Sequence, residues 1–287
     1  MSSSDRPHVA LFDEPGPRTR RLIRIASVVS ALGLGALVGV GLWVFASHGQ
    51  LAADRWTPFL QWSIWSYLFL GLRGTFQAAA FVAVLGSVLG LFLGVGRLAR
   101  ARATRWLCTG YIEIARTVPV LLLIYVMLFG LPQLGLNLPV LWKLVVPLTI
   151  ANAAAFAEII RAGVLGLPSG QAEAASSLGL SRGQTMRLVV LPQALRVVTP
   201  SLVTQLVSLV KDTSLGYIVA FTELLYRGQV LASYNRLLIQ TFVVVTFIYL
   251  VCNGALSAVA SGLRSRTRRR DPAAVVPVLP VIDTHVA

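Results

Sequence analysis

The chain is short of almost every side chain that does covalent chemistry. Only 2 of its 287 residues are cysteine, and Cys108 and Cys252 both lie inside apolar runs. That excludes a disulfide framework and a zinc site built on recurring thiolate spacing. The 3 histidines, His8, His48 and His285, fall outside the apolar segments, so no histidine-ligated metal centre is expected within the membrane. No HExxH, GxSxG or Walker-type phosphate loop occurs, which leaves zinc proteolysis, acyl transfer and nucleotide hydrolysis without a motif. No catalytic residue and no metal site is expected. Charge is scarce too: 13% of residues are charged against 56% hydrophobic, and 11 Asp and Glu face 25 Lys and Arg for a net charge of +14. A water-soluble domain has about 25% charged residues, so the solvent this sequence is written for is lipid.

A helix that crosses the bilayer needs about 20 predominantly apolar residues. Residues 25–47, 74–96 and 237–263 meet that requirement without any charge. Three further segments carry charges: 106–131 holds Glu113 and Arg116, 144–167 holds Glu158 and Arg161, and 197–222 holds Lys211 and Asp212. The expected fold is therefore an all-α integral membrane protein with six spans and both chain ends on one face. The arginines select the face, because basic residues concentrate on the cytoplasmic side. With cytoplasmic termini the inner segments contain Arg6, Arg18, Arg20, Arg21, Arg24, Arg97, Arg100, Arg102, Arg105, Arg182, Arg187, Arg196, Arg264, Arg266, Arg268, Arg269 and Arg270. The outer ones contain only Arg55, Arg73, Lys143, Arg227 and Arg236. This placement accounts for the basic excess without nucleic acid and predicts a multi-pass protein of the cytoplasmic membrane.

The organisation that follows is a basic N-terminus at 1–24, an additional helix at 25–47, an outer segment at 48–67, a five-span core at 68–263, and a basic, flexible tail at 264–287. Residues 25–47 exceed the about 7–15 residues of a signal-peptide core, favouring a retained anchor. Trp43, Trp56, Trp62, Trp65, Trp106 and Trp142 fall near span ends, as membrane-interface indoles do. Within 48–66 the aromatics recur at helical spacing, predicting either a short interfacial helix or a plain loop. Gly35 and Gly39, and then Gly86, Gly90 and Gly94, repeat every four residues, the spacing that lets helix backbones approach closely.

The polar stretch 167–196 cannot span. Residues 171–178 read as a short Ala-rich helix ended by Gly179, and 182–191 as a second amphipathic piece ending at Pro192. A small-residue helix on the cytoplasmic face fits a groove in another protein, though an ordinary connecting loop has the same composition. Glu173, Ala174 and Ala175, followed by Gly179 and then Leu191 and Pro192, resemble the EAA loop of bacterial ABC importer permeases. Around it the likeness narrows to the polar amino-acid permeases of the histidine, glutamate, glutamine and arginine uptake type. It is carried by Gly71, Leu72, Gly74, Thr75 and Phe76, by Arg116, Thr117 and Pro119, and by Ala155 to Ile159 with Arg161. Gly170 and Gln171, Gln193 to Arg196, Lys211 to Leu215, and Glu223 with Leu224 continue it. The extra helix at 25–47 resembles the layout of some actinobacterial-type glutamate permeases, whereas Phe156 stands where a tyrosine is usual.

The resemblance implies a permease subunit of a binding-protein-dependent ABC importer with a type I permease core, translocating a polar amino acid such as glutamate or glutamine. It implies as partners two ATPase subunits that hold ATP and Mg, a second permease, identical or related, and an extracytoplasmic solute-binding protein. No cofactor is expected in this chain. Gly170, Gln171, Glu173, Ala174, Ala175, Gly179, Leu191 and Pro192 would form the face that docks on the ATPase. A permease for another small solute, such as an opine or a sulfur-containing amino acid, and a non-transporting anchor for an ATPase remain open.

Ionisable residues inside a span face a partner or a watery path. Fourteen residues at about 1.5 Å each place Lys211 and Asp212 roughly 21 Å up the fifth span. Adjacent helical residues diverge by about 100°, so both face one lumen only if the helix is irregular there, and Thr213 and Ser214 would support such a break. Asp212, Thr213 and Ser214 are candidate path residues, as is Asn152. The alternative for Lys211 and Asp212 is to hold subunits together, and for Asn152 a bond across helices. Glu113 with Arg116, and Glu158 with Arg161, are each three residues apart and are expected to pair at an inner gate, direct contact with the solute being the alternative, with Pro119 a kink just beyond.

Overall fold

The computed structural model describes residues 16–270, all helical or in short connections, and the N-terminal 15 residues and the tail after Arg270 lie outside the described residues. Two compact units divide at Leu60. The first contains α1 (Pro17–Ser47), opened by a proline in its first turn where the missing N–H is harmless, and the short α2 (Ala53–Trp56), which passes into a 3-10 turn, Thr57–Leu60. The apolar side chains of α1 are exposed along its length, as expected of a span surrounded by lipid.

The second unit runs from Gln61. It comprises α3 (Trp62–Gly96), α4 (Arg102–Thr117), α5 (Val120–Tyr125), α6 (Leu131–Gln133), α7 (Val140–Leu165), α8 (Ser169–Ser177), α9 (Arg182–Gln184), α10 (Leu191–Asp212), α11 (Leu224–Asn235) and α12 (Leu238–Arg270). Among the described residues, five helices are long and apolar enough to cross a membrane: α1, α3, α7, the helical run Arg182–Val219 and α12. The sixth expected span is broken. α4 meets the run Val120–Gln133 at 94°, because Pro119 has no N–H to continue the ladder and pushes Val118 out to an extended ψ of 123°.

Two other boundaries differ from expectation. Trp62 and Trp65 belong to α3, which starts well before residue 74, so only Trp56 and Phe59 remain in the short turns between α1 and α3. Pro192 does not end the second piece of the polar loop. A π segment, Thr185–Val190, carries α9 into α10, and Pro192 sits in the opening turn of α10, where its missing N–H is tolerated.

Helices α3 and α7 form the central pair, and two clusters hold the other elements to them. One gathers Val82 of α3, Ile124 of α5, Leu144 and Leu148 of α7 and Leu209 of α10. The other gathers Leu93 of α3, Ile112 and Ala115 of α4, and Ala153, Ala154 and Ala157 of α7. In lipid there is no hydrophobic gain from helix association, so close van der Waals contact of small side chains has to supply it. The glycines of α3 allow that contact: a Cβ on Gly90 would stand 2.6 Å from the Phe156 Cβ, and one on Gly94 would stand 2.8 Å from the Ala157 carbonyl oxygen.

Candidate functional site

At one end of this bundle the charges inside the spans form a network. Arg97, which caps the C-terminus of α3, donates to Glu158 of α7 and, at 2.9 Å, to Glu113 of α4. Arg161 donates two bonds to Glu158, at 3.1 and 3.2 Å, and Arg116 stands 3.8 Å from the same carboxylate. The expected pair Glu158 and Arg161 is therefore present, whereas Glu113 does not pair with Arg116. The reason lies in the packing: the end of α3 enters between α4 and α7, and its guanidinium reaches both acids. Arg97 was missed by reasoning within single helices. Its signal was its place as the first charge after the long uncharged run 74–96, at a C-terminus whose dipole favours a cation.

Midway along the spans, Asn152 is buried and bonded on both sides. Its amide donates to the Leu148 carbonyl at 2.9 Å, and its oxygen accepts from Gln205 of α10 at 3.0 Å. This ties α7 to α10. Beside Gln205, α10 carries a second polar strip, Ser201, Thr204, Ser208 and Lys211, spaced three, four and three residues apart. Ser201, Thr204 and Lys211 are exposed and Ser208 is half-buried. The Thr204 hydroxyl donates to the carbonyl of Pro200 at 2.9 Å, which satisfies its hydrogen without a neighbouring helix.

α10 ends at Asp212 and the chain tightens into a 3-10 segment, Thr213–Val219, closed by Ala220 in the left-handed region at φ 56°. Of the three residues expected to line a path here, Asp212 and Ser214 are half-buried. Thr213 is fully buried, its hydroxyl donating back to the Val210 carbonyl at 2.8 Å, so it is turned into the protein.

The opposite end of the bundle is locked by Glu223. This residue is fully buried and caps α11: its carboxylate accepts from the N–H of Leu225 at 2.7 Å, the N–H of Tyr226 at 2.6 Å and the Tyr249 hydroxyl at 2.9 Å. Burial pushes its carboxyl up to about 7, against the pull of those three donors. The Thr75 hydroxyl accepts from the Leu224 N–H at 3.2 Å, and a Cβ on Gly74 would stand 2.7 Å from the Thr222 carbonyl oxygen. The sequence strings around Gly71 and Glu223 are therefore one contact. Beside it Tyr125, Tyr217, Tyr226, Gln229 and Ser233 line an uncharged hollow of about 540 Å³.

The polar loop presents a different kind of surface. α8 is closed by a Schellman arrangement, with Gly179 at φ +81°, the Leu180 N–H on the Ala175 carbonyl at 3.2 Å and the Gly179 N–H on Ser176 at 3.0 Å. Ser181 and Gln184 form a reciprocal capping box that opens α9. Ala175 is the buried residue of α8, and Gln193 of α10 donates to Gln171 at 3.1 Å. Gly170, Glu173, Ala174 and Gly179 are exposed, as is Pro192, while Leu191 is half-buried. Leu178 is 81% exposed, a large apolar side chain on a face otherwise built of small and polar groups.

Residues 86–269 match the model of the binding-protein-dependent transport system inner membrane component family. The chain belongs to that family. It is a multi-pass membrane permease component, and its fold is that of type I ABC importer permeases. It is 37% identical over 245 residues to the glutamate transport system permease protein GluD of Corynebacterium glutamicum, covering 83% of this chain and 90% of that one. It is also 37% identical to the probable glutamine ABC transporter permease protein GlnM of Bacillus subtilis, over 67% of this chain and 89% of its relative. Among solved structures it resembles one described as an amino acid ABC transporter with histidines, with a TM-score of 0.67 at 27% identity, covering 75% of this chain and 97% of that one.

Proposed function

We propose that this permease imports a polar amino acid, glutamate or glutamine in the first instance, across the cytoplasmic membrane, with both chain ends on the cytoplasmic side. In this reading it pairs with a second permease, identical or related, on two ATPase subunits that bind ATP and Mg, and receives solute from an extracytoplasmic binding protein. The permease itself hydrolyses nothing. The observation that carries the proposal is the join between the exposed α8 and the helical run Arg182–Val219: α8 packs on the π segment and is bonded to α10 through Gln171 and Gln193. A displacement of α8 by closing ATPases thus reaches α10 without passing through a flexible loop.

Along α10 the strip Ser201, Thr204, Ser208 and Lys211, with Asp212 and Ser214 above it, is the polar face of the translocation path. It presents hydroxyls and one ammonium to a zwitterion in transit, while Asn152 holds α10 to α7 behind it. The Arg97 network keeps α3, α4 and α7 together at the gate, so the motion is a rocking of packed blocks and not the bending of single helices. Each solute shifts the inward and outward populations only by its differential affinity for them.

The test is ATP-dependent uptake of labelled glutamate, glutamine, arginine and histidine in vesicles holding the permease with its ATPase and binding protein. Uptake of one solute that collapses with Glu173→Lys is the expected outcome. Full assembly with no uptake of any of the four would remove the amino-acid reading. Unchanged ATPase binding and uptake in Glu173→Lys would remove the docking assignment of α8.

A further inference from the structure

Glu223 and Arg227 stand four residues apart, acid first, the arrangement in which a helix pairs opposite charges most readily. Among the described residues they form no ion pair, since those present all involve Glu113 or Glu158. Each is turned to a different neighbour. The Glu223 carboxyl accepts from the N–H groups of Leu225 and Tyr226 and from the Tyr249 hydroxyl of α12 at 2.9 Å. The Arg227 guanidinium lies 4.6 Å over the Tyr67 ring of α3, with its Nε buried and without a hydrogen-bond partner. Its Cδ fills the space beside Gly71, where a Cβ would meet it at 2.9 Å. Directional contacts thus grip α11 from two sides.

Apolar contacts alone let a helix turn at little cost, whereas hydrogen bonds and ring stacking fix its angle. The angle decides what α11 presents on another face. Tyr226, Gln229, Val230 and Ser233 recur at three- and four-residue spacing, and with Tyr125 of α5 and Tyr217 of the 3-10 segment they line the hollow of about 540 Å³. Tyr217 joins that hollow to the polar strip of α10. It follows Ser214 by three residues, and in a 3-10 helix residues so spaced eclipse one another. The face that carries Ser214 past Asp212 therefore carries Tyr217 into the hollow. Glu223 stands behind this segment: a Cβ on Gly216 would meet its Cγ at 3.2 Å. One buried carboxyl touches α11, α12 and the segment that links strip to hollow. Stability alone would be served by an apolar side chain at this place, without the cost of burying an acid that no cation pairs.

We infer that the hollow is the outer mouth of the solute path, and that Glu223, with Arg227, is a positioning residue that sets it. Glu223 acts by fixing the turn of α11 and does not meet the solute. The polar groups of the mouth are phenols, an amide and a hydroxyl, so it opposes neither the ammonium nor the carboxylate of a zwitterion. The inference rests on the reading of α10 as the path, with this end of the bundle outside.

The test uses the full complex in vesicles and two variants that keep both N–H bonds of the α11 cap. Tyr249→Phe removes one donor to Glu223, and Arg227→Leu removes the stacking on Tyr67. Each is expected to raise the concentration of solute-loaded binding protein that half-saturates uptake by roughly two- to ten-fold, what one hydrogen bond contributes, with the maximal rate within about two-fold of wild type. A merely structural role would lower the maximal rate, because fewer carriers fold, and leave half-saturation where it is; that result would overturn the inference. A second readout needs no uptake. In a chain carrying Cys108→Ala and Cys252→Ala, Ser233→Cys is labelled from outside with a membrane-impermeant maleimide. Leu134→Cys, at a residue 77% exposed, is the reference. Tyr249→Phe should change the labelling rate of Ser233→Cys and not that of Leu134→Cys. An unchanged rate for Ser233→Cys, or no labelling of it from outside, would overturn the inference. A chain that imports none of the tested amino acids, yet shows the changed rate, would refute the importer reading and leave Glu223 as the residue that sets the hollow.

Discussion

Glycines that look alike in the sequence are expected to respond oppositely to alanine. On α3, a Cβ at Gly90 would meet the Phe156 Cβ at 2.6 Å and the Ala153 carbonyl oxygen at 2.9 Å, and one at Gly94 would meet the Ala157 carbonyl at 2.8 Å. These neighbours are backbone or the root of a side chain, so they yield only if α7 moves. Overpacking of that kind costs about 1–3 kcal/mol, and with two unyielding contacts Gly90→Ala belongs near the upper end. The gain in helix propensity over glycine, about 1 kcal/mol, leaves a net loss of about 2 kcal/mol. At about 2–4 °C per kcal/mol for a chain of this size, Gly90→Ala should melt about 4–8 °C below wild type in detergent. A Cβ on Gly86 meets Phe156 at an ordinary 3.4 Å, and one on Gly35 of α1 meets nothing within 4 Å. Gly86→Ala and Gly35→Ala should therefore melt at or slightly above the wild-type temperature. The assay is fluorescence-detected melting of the four single variants, including Gly94→Ala, with aggregation followed in parallel. Equal melting of Gly90→Ala and Gly35→Ala would refute the close packing of α3 on α7.

The Arg97 network predicts unequal couplings: a double-mutant cycle between Arg97 and Glu158, whose side chains are 18% and 22% exposed, should give about 1–3 kcal/mol. Between Arg97 and Glu113, the latter 55% exposed, it should give less than about 1 kcal/mol, and the reverse order would discard Arg97 as the hub. Glu223 is protonated more readily folded than unfolded, so its contribution to stability is fully present below about 4.5 and is lost as pH rises through about 7. That amounts to at most about 3 kcal/mol. Glu223→Gln should remove this part of the pH dependence while weakening the α11 cap, and parallel melting curves from pH 4 to 8 for the two proteins would contradict it. Gly179→Ala places a side chain at φ +81°, which costs about 1–2 kcal/mol. It should lower uptake by loosening the end of α8, and wild-type uptake would show that this cap does not hold the docking face. Lys211→Met should depress uptake without changing melting, since the side chain is exposed; a large fall in melting temperature with normal uptake would place Lys211 in the scaffold.

What the sequence made legible was whatever a single helix decides for itself. Apolar length located the spans, Pro119 marked the break of the third, and Gly179 marked the turn in the polar loop, since each effect acts over three or four residues. Glu158 and Arg161 paired as three-residue spacing requires. Contacts between helices were not legible. Glu113 had the same spacing to Arg116 as Glu158 has to Arg161, yet its partner came from the end of α3. Thr213 looked like a path residue by composition, but the tightening of the chain after Asp212 turned it inward. Gly35 and Gly90 sit in equivalent local patterns, and only the presence of α7 beside one of them separates the two. Glu223 gave no local sign of its role, because a glutamate is an uncommon N-cap and its burial depends on Gly71 and Gly74 far away in the chain.

α10 is bounded at each end by helix that is not α: the π segment Thr185–Val190 before it and the 3-10 segment Thr213–Val219 after it. Both depart from the pitch of the helix between them, and a change of pitch is where a helix changes register or direction with the least disruption of its ladder. The lower one is the surface on which α8 packs, and the upper one carries Ser214 beside the polar strip. Between them, Gln205 and Asn152 fix α10 to α7 near its middle. Its ends are packed as well, Ala194 and Val198 against Gly163 of α7 and Leu209 in the cluster with Leu144 and Leu148, so in the proposed import cycle a push at α8 would have to move α10 and α7 together.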